Sequence, residues 1–186
     1  MDIRDELRRK PLRVGISTRA LFDLEAEHKV FVQKGVAAYA KLQRERENSL
    51  VAKGSGFKVV EKLLRMNEGD SKPYVEVILL SKNSPDLSLR AFNSIQNYGL
   101  NIKHGSFTSG RTLAPFIPSW EIDLFLSNDS ADVQAAVTAG TAAARLGNPP
   151  DVDRGVDYDD EVRIAFDGDA VVFSPESDLV YKEKGL

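Results

Sequence analysis

Three stretches of this chain, 12–17 (LRVGIS), 74–81 (YVEVILLS) and 122–127 (IDLFLS), are almost continuously apolar, and each is followed by apolar residues at helical spacing. A strand with polar residues on only one face alternates; a strand buried on both faces does not. Repeated strand-then-helix order with strands of the second kind predicts an α/β fold: a doubly wound parallel sheet covered by helices on both faces. The helical pattern covers 21–43 and resumes at Phe57, after Gly54-Ser55-Gly56, to end near Gly69, so 36–70 is expected to be mostly helical. Pro85 opens a helix running to Tyr98 and stopped by Gly99. A weaker strand is expected at 104–108, a short helix at 113–120, and an Ala-rich helix over 131–146 closed by Gly147 ahead of Pro149 and Pro150. Residues 147–161 (GNPPDVDRGVDYDDE) have linker composition, and one more apolar strand follows at 162–166.

The composition narrows the partners. The 186 residues hold 25 Lys+Arg against 28 Asp+Glu, a net charge of −3, with no basic block able to follow a phosphate backbone, so a nucleic acid polymer is not the expected partner. The absence of Cys excludes a disulfide framework, a zinc–thiolate site and a cysteine nucleophile, and suits a reducing compartment. The first 13 residues are charged and broken by Pro11, unlike an export signal, and no apolar run approaches the roughly 20 residues that cross a bilayer. A cytoplasmic protein without a membrane partner is expected; a homo-oligomer is compatible with this composition.

The chain also repeats itself. RVGISTRALFDLEAEHKVFVQKGV (13–36) aligns without a gap with RIAFDGDAVVFSPESDLVYKEKGL (163–186), at an offset of 150 residues. The pairs Arg13/Arg163, Ala20/Ala170, Val30/Val180, Lys34/Lys184 and Gly35/Gly185 are identical, and Leu21/Val171, Phe31/Tyr181 and Val36/Leu186 keep apolar positions in phase. The expected organisation is a complete first unit over 1–147, an acidic linker over 148–161, and over 162–186 the opening of a second unit, so that 1–186 reads as part of a longer tandem protein.

The copies differ in the turn after the strand: Ser17-Thr18-Arg19 in the first, Asp167-Gly168-Asp169 in the second. A carboxylate at the carboxyl end of a parallel strand sits in the crevice where doubly wound sheets bind ligands. Two carboxylates flanking a glycine can point the same way around a tight turn and offer hard oxygen donors to Mg²⁺. An Asp-Gly pair is also a common solvated turn, but the apolar runs on both sides of this one argue against a surface hairpin.

The string Ile164-Ala165-Phe166-Asp167-Gly168-Asp169-Ala170-Val171 resembles the first motif of the haloacid dehalogenase superfamily of phosphatases. FDGDAVVFSPESDLVYKEKGL, with STRALFDLE upstream, is similar to the cytosolic 5′-nucleotidase type I family, from about Leu12 to Leu186. The resemblance implies a haloacid-dehalogenase-like sheet with a small cap-like helical insertion, for which 36–70 is the candidate. It implies Mg²⁺-dependent hydrolysis of nucleoside 5′-monophosphates, with Asp167 as the nucleophile that forms an aspartyl-phosphate. Asp169 would be the general acid and then the base, and both positions would hold Mg²⁺, Asp169 through its main-chain carbonyl.

The first copy departs from that pattern. Ser17 and Arg19 stand at the two acid positions, so neither nucleophile nor proton donor is present, and Arg19 would repel a cation. Ser81 after a strand, Arg111 where the superfamily has a phosphate-binding Lys, and Asp129 where it has metal-binding acids resemble worn versions of its other motifs. This unit is expected to be inert, and 1–186 alone to turn over poorly. The alternatives are a non-catalytic nucleotide-binding or dimerisation module and a D-x-D glycosyltransferase, against which the repeat speaks. Gly54-Ser55-Gly56 lacks the strand and Lys-Ser/Thr of a phosphate loop, and His28 and His104 stand without a supporting acid, so surface or packing roles are expected for them.

Overall fold

The computed structural model describes residues 3–147, 161–162, 164–165 and 176–185. A short helix α1 (Ile3–Arg9) leads into β1 (Leu12–Ser17), a helical turn α2 (Thr18–Leu21) and β2 (Phe22–Asp23). Helix α3 (Glu25–Glu45), β3 (Ala52–Lys53) and α4 (Phe57–Arg65) precede β4 (Val75–Ser81). A 3₁₀ turn (Pro85–Leu87) opens α5 (Ser88–Asn97), followed by β5 (His104–Phe107), α6 (Phe116–Ser119), β6 (Leu124–Ser127), α7 (Ser130–Thr138) and β7 (Ala142–Arg145). The last described helix is α8 (Glu176–Lys184).

Five strands form one parallel sheet in the order β5-β4-β1-β6-β7. The chain steps outward from β1 to β4 and β5, then crosses to lay β6 and β7 on the other side, so β1 and β6 flank the topological switch point. Alternation within β4 shows why both faces need cover: Val75, Val77 and Leu79 join one core with Val60, Leu63 and Ile95, while Ile78 and Leu80 join the other with Leu113, Ile117 and Phe125. The expected α/β doubly wound sheet is the one found.

Three local expectations change, the first being the strand over 162–166, of which the described residues 162, 164 and 165 are not in a strand. The Ala-rich helix expected over 131–146 stops at Thr138, because Gly140 takes a left-handed φ of 84° and its N–H closes on the Val137 carbonyl. The following Ala142–Arg145 becomes β7, pairing Leu124 with Ala142 and Ser127 with Arg145. Alanine prefers helix, but the outer edge of β6 offers a ladder of unpaired backbone groups, and tertiary pairing wins. The helix expected from residue 21 begins later, since Phe22 is fully buried in an extended residue paired with Lys53. Helix α3 then bends sharply at Gly35 (φ 79°, ψ −177°).

Of the 36–70 segment expected as a cap, α4 instead buries Phe57, Val60 and Leu63 in the main core. The glycines before it permit a close approach. A Cβ on Gly54 would lie 2.6 Å from the Ala20 carbonyl oxygen, and the Gly54 N–H donates to the Leu21 carbonyl at 2.9 Å. The remaining part, α3, covers the carboxyl end of the sheet.

Candidate functional site

At the carboxyl ends of β4, β1 and β6 stand three buried serines, Ser81, Ser17 and Ser127. They form the floor of a cavity of about 540 Å³, within the range that holds a small-molecule ligand. Ser17 caps α2, its Oγ accepting from the Ala20 N–H at 3.3 Å, and the Ser127 hydroxyl donates to it at 3.1 Å across the switch point. Ser127 Oγ also accepts from the Asp129 N–H at 3.1 Å, and Ser81 Oγ from the Asn83 N–H at 3.2 Å.

The charged groups of the crevice are already engaged. Arg19 Nη2 donates to Glu25 Oε1 at 2.5 Å, and the guanidinium holds the Glu25 carboxyl below its ordinary range. Lys82 is ion-paired with Asp132, whose carboxyl burial pushes up against the downward pull of Lys82. Asp129 caps α7, its Oδ1 accepting from the N–H groups of Ala131 (2.8 Å) and Asp132 (3.3 Å). Asn128 Nδ2 donates to the Arg19 carbonyl at 3.1 Å, tying the β1 and β6 turns together.

Among the described residues that line the crevice, two buried polar side-chain atoms have no partner. Thr18 is 1% exposed and its Oγ1 makes no hydrogen bond, and the buried Nε of Arg19 makes none either; both residues line the cavity. Such orphans are uncommon in a folded protein because each forfeits its hydration. The opposite wall is apolar and aromatic: Phe31 stacks on His28 with ring centres 6.2 Å apart and meets Tyr39 edge-on at 5.9 Å. The Tyr39 hydroxyl donates to Asn83 Oδ1 at 3.0 Å, and burial raises its pKa to about 12.

Of the residues singled out in the sequence, Ser81 and Asp129 line this crevice. Arg111 does not: its side chain is exposed, and its carbonyl accepts from Thr108 Oγ1 at 2.6 Å. The cations in the crevice are Arg19 and Lys82, the latter directly following Ser81 and legible as the residue after a strand-end hydroxyl. His28, expected to be a surface or packing residue, lines the crevice as well. Asp167 and Asp169 lie outside the described residues.

The described crevice does not fit a divalent cation. Asp129 is spent on the α7 cap and Asp132 on Lys82, and no group of three His, Asp or Glu gathers among the described residues. Nor is Ser17 a nucleophile, since its hydroxyl meets only the Ala20 N–H and Ser127, and a serine needs a base within reach. The described residues also include no helix long and apolar enough to cross a membrane.

These features define a doubly wound α/β unit with a ligand crevice at its switch point and hydroxyls where hydrolytic chemistry would need acids. The 5′-nucleotidase family model matches residues 4–186. Over 182 residues the chain is 31% identical to the human (Homo sapiens) protein "Cytosolic 5′-nucleotidase 1B", a match covering 94% of this chain and 29% of that protein. The chain belongs to the 5′-nucleotidase family. It spans about 29% of the length of that relative.

Proposed function

We propose that the protein hydrolyses nucleoside 5′-monophosphates to nucleoside and phosphate, with the chemistry at Asp167 and Asp169. The observation that carries this reading is that the family match runs from residue 4 to residue 186 and so takes in Asp167-Gly168-Asp169, while the corresponding crevice at Ser17 and Arg19 holds no acid free to react. The Asp167 carboxylate attacks the phosphorus, the bond to the nucleoside 5′-oxygen breaks, and Asp169 gives that oxygen its proton. Asp169 then takes a proton from water, which attacks the aspartyl-phosphate and releases phosphate with both carboxyl groups restored. Mg²⁺ belongs to the proposal at the Asp167 carboxylate and the Asp169 main-chain carbonyl, hard oxygen donors suited to it, where it would offset phosphoryl charge when bound. The name of the human relative supports a cytosolic place of work.

The test is phosphate release from adenosine 5′-monophosphate by the full-length polypeptide with Mg²⁺ supplied. Asp167→Asn is expected to lower the rate about a thousandfold or more, and Ser17→Ala to leave it near wild type. Activity that survives Asp167→Asn would overturn the assignment.

A further inference from the structure

We propose that the crevice of the first unit is a second, non-catalytic ligand site that takes the neutral nucleoside rather than the nucleotide. Three features of the crevice converge. The cavity, about 540 Å³, has the volume for a ligand of that size. Beneath its floor lie two donors without acceptors, Thr18 Oγ1 and Arg19 Nε, both buried, and the buried hydroxyls of Ser17 and Ser81 take backbone N–H groups as donors, leaving their own hydrogens to give. Its roof is the Phe31, His28 and Tyr39 cluster on α3, a face on which a flat heterocycle stacks.

A ligand that satisfies both ends has an aromatic ring at one end and oxygen acceptors at the other. Charge then decides between a nucleoside and its phosphate. Arg19 faces Glu25, Lys82 faces Asp132, and Asp129 adds a further carboxylate at the floor. Among the described residues a phosphate dianion would meet only cations already paired with carboxylates and would have to displace Glu25 from Arg19 or Asp132 from Lys82, whereas ribose hydroxyls accept from Thr18, Ser17 and Arg19 Nε with both ion pairs left in place. The choice of a nucleoside among aromatic polyols rests on the activity proposed above; the site and its preference for an uncharged ligand do not.

The experiment is photolabelling of the full-length Asp167→Asn protein with 8-azidoadenosine, mapped by peptide mass spectrometry, with adenosine, adenosine 5′-monophosphate and inorganic phosphate as competitors. Label is expected in the α3 peptide, with adenosine protecting at a concentration about tenfold lower than the monophosphate and phosphate alone not protecting. Phe31→Ala, at a residue 43% exposed, is expected to cut labelling about tenfold without unfolding the protein. Thr18→Val is expected to weaken adenosine about fivefold while leaving stability unchanged or higher, because it removes an unsatisfied buried hydroxyl. Label absent from α3, equal or better protection by the monophosphate or by phosphate, or indifference to both substitutions would each overturn the proposal. Failure here leaves phosphate release by wild type and its loss in Asp167→Asn untouched, so the two readings fail separately.

Discussion

The wall of the crevice is held by a buried ion pair, and removing its carboxylate should be costly. Arg90 on α5 is 4% exposed and Glu27 on α3 is 5% exposed. Arg90 Nη1 donates to Glu27 Oε1 at 2.8 Å and to Gln43 Oε1 at 3.1 Å, and its Nε donates to the Ser49 carbonyl at 3.0 Å. One guanidinium therefore fastens both halves of α3, on either side of the Gly35 bend, to the helix beneath. Glu27→Ala leaves that cation buried with only neutral acceptors, a situation that costs about 3–5 kcal/mol. Against the ~5–15 kcal/mol of an ordinary domain this is a large share, equivalent to roughly 10 °C in Tm. Glu27→Gln keeps an oxygen acceptor and should lose less. The double variant Glu27→Leu/Arg90→Met removes both charges and should be more stable than Glu27→Ala alone, since no buried ion is then unpaired. Urea unfolding followed by circular dichroism measures all three. A loss below about 1 kcal/mol for Glu27→Ala, or a double variant no more stable than Glu27→Ala, would refute the reasoning.

Gly54→Ala should destabilise by about 1–3 kcal/mol, because the new Cβ would sit 2.6 Å from the Ala20 carbonyl oxygen and 2.8 Å from the Phe22 backbone, neither of which can swing away; a wild-type melting curve would count against the close approach. Tyr39, with its pKa raised by burial from 10.0 to about 12, should appear as a late component in a phenolate absorbance titration and vanish in Tyr39→Phe. The unfolded chain loses that proton first, so Tyr39 contributes stability below pH ~10 that falls away as pH rises towards about 12. A Tyr39 titration at the ordinary value would contradict its buried environment.

How much of this was legible depends on the reach of the contacts involved. Strands β1 and β4 could be read almost to the residue because burial on both faces leaves a continuous apolar run, as in Val75–Ser81. Strand β7 could not, since Ala142–Arg145 carries no strand preference of its own and forms only because β6 has an open edge; Gly140 was the one local sign that α7 would stop. The strand-end hydroxyls Ser17 and Ser81 and the capping Asp129 follow from their positions after strands. The roof does not: His28, Phe31 and Tyr39 come over the crevice only through the bend at Gly35 and the clasp of Arg90 on Glu27, 63 residues away in sequence. Arg111 was assigned by analogy of order along the chain, and the Thr108 hydrogen bond to its carbonyl fixes a turn that leaves its side chain in solvent.

The two aligned segments share the course of one helix, although residues 162, 164 and 165, aligned with β1, are not in a strand. Helix α8 (Glu176–Lys184) corresponds, at the 150-residue offset, to the part of α3 before its bend, and each ends at a glycine in the left-handed region, Gly35 at φ 79° and Gly185 at φ 56°. Any larger residue at those positions is strained, so the shared glycines mark a shared way of ending the first helix after the strand. The turns between strand and helix, by contrast, have diverged in every residue: Ser-Thr-Arg against Asp-Gly-Asp. A merely structural first copy would have no use for Thr18 Oγ1 and Arg19 Nε, buried without partners in a crevice of ligand size, each of which costs stability in the empty protein. For the proposed site, unpartnered donors below and an aromatic roof above are what binding without reaction requires.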